Sequence, residues 1–444
     1  MNNGIRIMLK LTNRVALAFL LSALLGGQAL AELTIRITQG VGKQTPVAIV
    51  PFGFQGTTPD EVLDIASVIA ADLARSGRFA PIPVADMLQK PTTGTEIDFD
   101  DWSILGVEAV VVGRLEQTGA NAYSLQFQLF DVFRRQQLVG YRMPASRGTM
   151  RKAAHRAADM IYEKLTGIPG VFGTQVAYVT AKGSGNSRLY SLVISDADGE
   201  NEQTIMESPD PIMSPAWSPD SRQLAYVSFE DNVSSVFVQT LRTGNRIKVS
   251  SRPGINGAPA FSPDGRQLVL TLGGADGNLD IHVLDLTSRE LTRLTTNRAI
   301  DTEGSWSPDG KEIFFTSDRS GGPQVYRVSA DGRGTPERVT FEGSYNARPR
   351  LSPDGSKLAM VHLDRGNYRI AVMDMKRKDL LVLSAGSQDE SPSFAPNSDT
   401  LIYATRQGGN GVLETVSADG LVRQQLAGGQ IDVREPVWSP FPRF

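Results

Sequence analysis

An apolar residue followed by Ser-Pro-Asp-Gly, or a near relative of it, recurs six times at a spacing of 43 to 45 residues. The copies are Trp217-Ser218-Pro219-Asp220-Ser221, Phe261-Ser262-Pro263-Asp264-Gly265, Trp306-Ser307-Pro308-Asp309-Gly310 and Leu351-Ser352-Pro353-Asp354-Gly355. Looser ones follow at Phe394-Ala395-Pro396-Asn397-Ser398 and Trp438-Ser439-Pro440-Phe441. A period in the low forties with several strands per unit is the mark of a β-propeller blade. Pro presets φ for a turn, Asp favours the next position and Gly accepts the left-handed conformation that closes it. Each unit carries further strands, as in Asp280–Asp285 and Glu290–Leu294 of the third, and a lone blade must stack on neighbours to bury its faces.

The ends of the array are complementary. The strand Gln175–Thr180 resembles one that follows such a turn but has none before it, while Trp438-Ser439-Pro440 has the turn and no strand after it. Pairing them closes a six-bladed ring and removes two exposed edges.

Upstream, Arg6, Lys10 and Arg14 precede an apolar run from Val15 to Leu25, and Ala29-Leu30-Ala31 suits a cleavage site. These predict a secretory signal over 1–31, cut after Ala31; the apolar run is short for a permanent anchor. The mature protein is expected to lack a transmembrane segment. Absence of cysteine among the 444 residues rules out disulfides and thiolate chemistry. A formal charge of −3 offers no footprint for nucleic acid.

Residues 32–167 read as a small α/β mixed-sheet domain and 168–444 as the propeller. Pro46–Phe52 is a strand candidate, and Thr58-Pro59-Asp60-Glu61 a helix start, with Thr as N-cap. That helix carries Val62, Ile65, Ala66, Ile69 and Leu73 to Gly77. A short helix from Asp100-Asp101-Trp102, strands at 108–116, 123–133 and 138–143, and a closing helix over 149–165 complete the domain.

No Gly-x-Ser-x-Gly elbow and no paired metal-binding histidines occur. His155, His282 and His362 read as packed or surface imidazoles, and the repeated aspartates as turn residues. No catalytic residue, cofactor or metal is expected, and the protein reads as a non-enzyme and a monomer.

The turns are nearly uniform, but the segments leading into the innermost strands differ from blade to blade. These are 211–214, 254–258, 299–303, 344–348, 388–391 and 431–435, all converging around the central channel. Variation on a rigid scaffold marks a binding face, unless it is drift. Its mixture of apolar residues, carboxylates, Asn and Arg suits a protein partner. A cation held by channel carboxylates stays open.

Signal, α/β domain and six blades together resemble the TolB family of periplasmic Tol-Pal components, and the resemblance spans essentially the whole chain. It rests on Glu32–Ile37, Val50-Pro51-Phe52, Lys164-Leu165-Thr166-Gly167, Met213–Asp220 and Asn256–Phe261. It implies an adaptor that binds the peptidoglycan-associated lipoprotein Pal at the channel mouth and TolA through the mature amino-terminal strand. It also implies a role in outer-membrane integrity and constriction during cell division, and leaves room for other envelope partners. Carried over by position, the Pal contact falls on Ile255, Asn256, Gly257, Ala258, Asp301, Thr302 and Glu303, with Asn346 and Arg348 added by position alone. Many family members have His where Ile255 stands. The TolA strand is Glu32, Leu33, Thr34, Ile35, Arg36 and Ile37, whose alternation suits edge pairing, with a partner or within its own domain. The competing readings are a periplasmic hydrolase using Asp301, Glu303 and Asp389, and a propeller that binds a small ligand in the channel.

Overall fold

The computed structural model describes residues 44–57, 63–274, 277–428 and 431–442. The signal segment and the strand Glu32–Ile37 lie outside the described residues.

The first sheet is mixed. Strands β1 (Thr45–Ile49), β2 (Gly53–Gln55), β3 (Phe79–Pro81), β4 (Ala109–Gly119), β5 (Ala122–Asp131) and β6 (Gln136–Ala145) run in the order β3-β1-β4-β5-β6, with β2 beside β4. Parallel pairing joins β1 to β3 and β4, and antiparallel hairpins add β5 and β6. The central strands are buried on both faces, which is why they read as unbroken apolar runs. On one face Val47 and Ile49 meet helices α1 (Ile65–Arg75) and α3 (Met150–Thr166). On the other, Ala48 and Val50 pack with the fully buried Trp102 of α2 (Phe99–Ile104).

The helix start read at Thr58 lies, with residues 58–62, outside the described residues; within them helix α1 begins at Ile65. Leu63 and Asp64 are not helical, and Asp64 is the N-cap, its carboxylate accepting from the Ser67 N–H at 3.1 Å. Asp64 precedes the first buried residues, Ile65 and Ala66, so a cap placed there starts the helix where burial starts. The strand read over Pro46–Phe52 ends at Ile49 as β1, and the next strand, β2, starts only at Gly53.

Six four-stranded antiparallel sheets follow. Blade 1 is built from both ends of the array: the last strand, Asp432–Trp438, pairs with β7 (Gln175–Lys182), and β8 (Leu189–Asp196) and β9 (Gln203–Ser208) complete it. Blades 2 to 6 begin with innermost strands Ile212–Trp217, Asn256–Phe261, Asp301–Trp306, Asn346–Leu351 and Glu390–Phe394. In the Ser-Pro-Asp-Gly turns the serine hydroxyl donates to the aspartate two residues on, as from Ser262 to Asp264 at 2.6 Å and from Ser307 to Asp309 at 2.7 Å. That bond is the main reason both carboxyls sit below the usual range. Gly310 takes φ +71° there, and a Cβ would touch nothing nearer than Pro263 at 3.7 Å, so conformation rather than space selects glycine.

Because each blade is a meander, these turns lie at one end of the ring and the divergent segments at the other. The α/β domain packs against the turn end. Arg78 pairs with Asp399 at 3.0 Å and Asn397 donates to the Pro169 carbonyl at 3.1 Å. Gly77, at φ +68°, lies so close to Val422 that a Cβ would come within 2.4 Å of it. Among the described residues, the contacts of that domain with the propeller fall at the turn end.

Candidate functional site: the channel rim

Each innermost strand carries a β-bulge, and in each bulge one residue is left-handed: Ser214, Ala258, Glu303, Arg348, Ser391 and Glu435, with φ between 47° and 59°. None is glycine, so every blade stores local strain of about 1–2 kcal/mol at the same point. The N–H groups so turned are taken by the preceding blade in three places. Ser214 donates to Glu435 Oε2 at 2.5 Å, Glu303 to Thr271 Oγ1 at 3.1 Å, and Arg348 to Glu303 Oε2 at 3.1 Å.

The side chains of this ring close the channel with charge. Arg348 Nε donates to Glu303 Oε1 at 2.6 Å, one terminal nitrogen to the Ser391 hydroxyl, and the other lies 3.4 Å from Glu435 Oε1. Burial lowers the Arg348 pKa, but Glu435 and Glu303 more than offset it, and the net shift is upward. One cation thus ties blade 5 to blades 4, 6 and 1. On the turn side of this plug is a space of about 220 Å³ bounded by residues of all six innermost strands.

Two residues before each left-handed position the chain is buried in every blade, and four of those residues anchor the rim internally. Asn256 accepts from Ser250 and the Arg252 N–H and donates to the Arg252 and Gly254 carbonyls. Both carboxylate oxygens of Asp301 accept from one terminal nitrogen of Arg319, at 2.7 and 2.9 Å, with the guanidinium against the Phe315 and Tyr326 rings. Asn346 bonds Gln324, His362 and the Glu342 carbonyl, and Asp389 bonds Thr405 and the Gly386 N–H.

The residues named from the sequence therefore divide by burial. Asn256, Asp301 and Asn346 are fully buried. They shape the loops and present no side chain to a partner. Gly257, Ala258, Thr302, Glu303 and Arg348 are half-buried along the channel wall, with Thr302 3.3 Å from Thr271 across the blade boundary. Ile255 is exposed at the rim.

Ile255 is joined there by Met213, Ile300, Tyr368 and Ile431, all exposed. Tyr345 stands edge-on to Tyr368 at 5.1 Å between centroids. The sequence reading placed Met213, Ile300, Tyr345 and Ile431 in the divergent segments without naming them as contacts, and it missed Tyr368, although a signal was present: Ile300 and Tyr345, like Ile255, each immediately precede the buried anchor of their blade. A rim pocket of about 390 Å³ opens beside them, lined by Tyr345, Arg348, Tyr368, Glu390, Arg406 and Arg434 among others.

Of the histidines, His282 is half-buried against the Asp280 carbonyl and His362 is bound to Asn346. His155 is more unusual. It lies between Asp72 of α1 and the turn after β8, among charges that are far apart in the sequence. Among the described residues no helix is long and apolar enough to cross a membrane.

The architecture defines a class: a closed six-bladed propeller behind an α/β domain, with an apolar rim around a plugged channel. Comparison with known proteins narrows it. The TolB amino-terminal domain family matches residues 33–138 and the TolB beta propeller domain family residues 162–442. The Tol-Pal system protein TolB of Xanthomonas campestris pv. campestris (strain B100) is 49% identical over 430 residues, covering 96% of this chain and 98% of the relative. The same protein of Xanthomonas oryzae pv. oryzae (strain PXO99A) is 49% identical over the same length and shares. A crystal structure of TolB from Acinetobacter baumannii, 40% identical, superposes with a TM-score of 0.84 over 92% of this chain and all of that one. The chain belongs to the TolB family.

Proposed function

We propose that the protein is a periplasmic, non-enzymatic adaptor of the Tol-Pal system. Its rim binds the lipoprotein Pal, and the strand Glu32–Ile37 binds TolA once the signal has been removed after Ala31. In this reading the two contacts support outer-membrane integrity and constriction during division.

The observation that carries the proposal is how the rim divides its labour. Its polar residues are committed inward, Asp301 to Arg319, Asp389 to Thr405 and Glu303 to Arg348. Its apolar residues Met213, Ile255, Ile300, Tyr368 and Ile431 face outward. Carboxylates held in this way are poor general acids or bases, which weighs against the hydrolase reading. An exposed apolar ring around a charged centre suits a protein surface. The rim pocket of about 390 Å³ is the one observation that favours a small ligand.

Calorimetric titration of the mature protein with its cognate Pal ectodomain tests this. Ile255→Asp and Ile300→Asp alter exposed side chains and should weaken binding at least tenfold without changing thermal stability. An intact wild-type fold that binds no Pal, or binding unchanged in both variants, would refute the rim assignment. TolA affinity measured with and without saturating Pal then tests coupling between the two contacts, which predicts unequal values.

A further inference from the structure

We propose that His155 is a pH-sensitive clasp between the α/β domain and blade 1. Its imidazolium ion, on α3, bridges Asp72 of α1 and Asp198 of the turn after β8, and loss of its proton loosens the junction.

His155 is 1% exposed, so its ring must find partners inside the protein. Nδ1 lies 2.7 Å from Asp72 Oδ2. Nε2 has no hydrogen-bond partner, and Asp198 Oδ2 and Asp196 Oδ2 face it at 3.6 and 4.0 Å. A neutral imidazole has one N–H and one lone pair. If Nδ1 donates to Asp72, the lone pair of Nε2 meets two carboxylates. If Nε2 carries the proton instead, the lone pair of Nδ1 abuts Asp72. Only the doubly protonated ring presents an N–H to both sides.

The surrounding charges require the same form. Asp72 and Arg75 come from α1, Arg151, Lys152 and Asp159 from α3, and Asp196 and Asp198 from blade 1. Arg75 pairs with Asp72 and lies 3.9 Å from Asp198. Arg151 pairs with Asp198 and lies 3.9 Å from Asp196, which also accepts from the Asn201 amide at 2.6 Å. Lys152 borders the small cavity beside His155 and Asp196, and Asp159 is bonded to the linker N–H groups of Phe172 and Gly173. At the ring itself two guanidiniums face three carboxylates, and the imidazolium supplies the third positive charge.

Burial alone would lower the imidazole pKa, but the Asp72 bond and the charges of Asp72 and Asp198 outweigh both burial and Arg151, and the net shift is upward. A group shifted in this sense stabilises the junction fully below the ordinary imidazole value of about 6.5, and the contribution is lost as pH rises through the higher value of the folded protein. In the proposed adaptor the strand Glu32–Ile37 precedes one domain and the rim belongs to the other, so this junction can couple the two contacts. That consequence alone rests on the adaptor reading.

The chain has three histidines, so carbon-13 labelling of histidine in the mature protein resolves each imidazole by NMR. His155 should titrate above about 6.5, and His282 and His362, which burial lowers, below it. Hydrogen exchange, corrected for the intrinsic rate at each pH, should show protection of residues 168–174 and 196–200 falling at least fivefold across the His155 titration. His155→Gln should show the high-pH exchange at every pH. Asp72→Asn should move the titration and the loss of protection to lower pH, which keeps the test open if His155→Gln misfolds. Asp159→Asn should leave both in place, which separates His155 from the carboxyl that titrates beside the linker. A His155 imidazole that titrates at or below the ordinary value overturns the proposal. So does protection that stays constant through its titration, or a step that disappears in Asp159→Asn.

Discussion

Arg348→Met should destabilise the propeller by about 2–4 kcal/mol, and the channel geometry sets that figure. The guanidinium bonds Glu303 at 2.6 Å and reaches Glu435 at 3.4 Å. A hydrogen bond to a charged group contributes about 1.5–3 kcal/mol. Stripping the partner from a buried charge costs about 3–5 kcal/mol. Water reaches part of this network, since the side chains of Arg348, Glu303 and Glu435 are 24%, 20% and 12% exposed, which moves the expectation down that range. Methionine keeps the aliphatic stem and the same left-handed backbone, so neither packing nor strain should add much. Scanning calorimetry should record a Tm lower by about 4–10 °C. The single variant leaves Glu303 and Glu435 as partly buried charges without their cation, and most of the loss arises there. Adding Glu303→Gln and Glu435→Gln to Arg348→Met should therefore recover most of the loss. A single variant within 1 °C of wild type, in the scan that expects that 4–10 °C drop, would refute the reasoning. So would a triple variant no better than the single.

Two further expectations follow from buried charge. Asp159 is half-buried and accepts from the N–H groups of Phe172 and Gly173, and desolvation pushes its carboxyl up to about 7. The folded state thus keeps a proton that the unfolded chain gives up near pH 4, so this contribution to stability is full below that pH and is lost as pH rises through about 7; Asp159→Asn should flatten that slope in denaturant titrations run across the window. Asp301→Ala leaves the half-buried Arg319 without its carboxylate, with only the Ser317 hydroxyl still bonded to its side chain, and should cost about 3 kcal/mol, with Pal affinity reduced only through loss of loop order; a denaturant midpoint equal to wild type would show that the pair is dispensable.

The ring was legible because one turn, repeated six times, leaves a strict signature, and because the two unmatched ends had no other partner. The rim was legible only as a region. Asn256, Asp301 and Asn346 look like contact residues in the sequence, yet Asn256 closes its own loop onto Ser250, Arg252 and Gly254, and Asp301 and Asn346 bond Arg319, Gln324 and His362, whose proximity only the fold creates. The strain at Ser214, Glu303 or Glu435 leaves no mark either, because none of them is a glycine. Asp64 was passed over as the cap of α1 because Thr58-Pro59 forms a plausible start by local rules, while the described helix begins after Asp64, where burial begins. The charges around His155 come from α1, α3 and a propeller turn, so no local spacing could connect them.

Closure of the ring places a constraint on how the protein is made. The strand Asp432–Trp438 is synthesised after every other described strand of the propeller, and it pairs with the first of them, at Val176–Ala181. Five blades can assemble in order as the chain emerges, but the sixth waits for residues 432–438. Joining residues so distant is slow, and until then two sheet edges stay open to other chains. A polypeptide built this way remains unfinished for as long as that one strand is held back. Loss of Asp432–Trp438 would remove the clasp and leave an open arc rather than a slightly shorter ring.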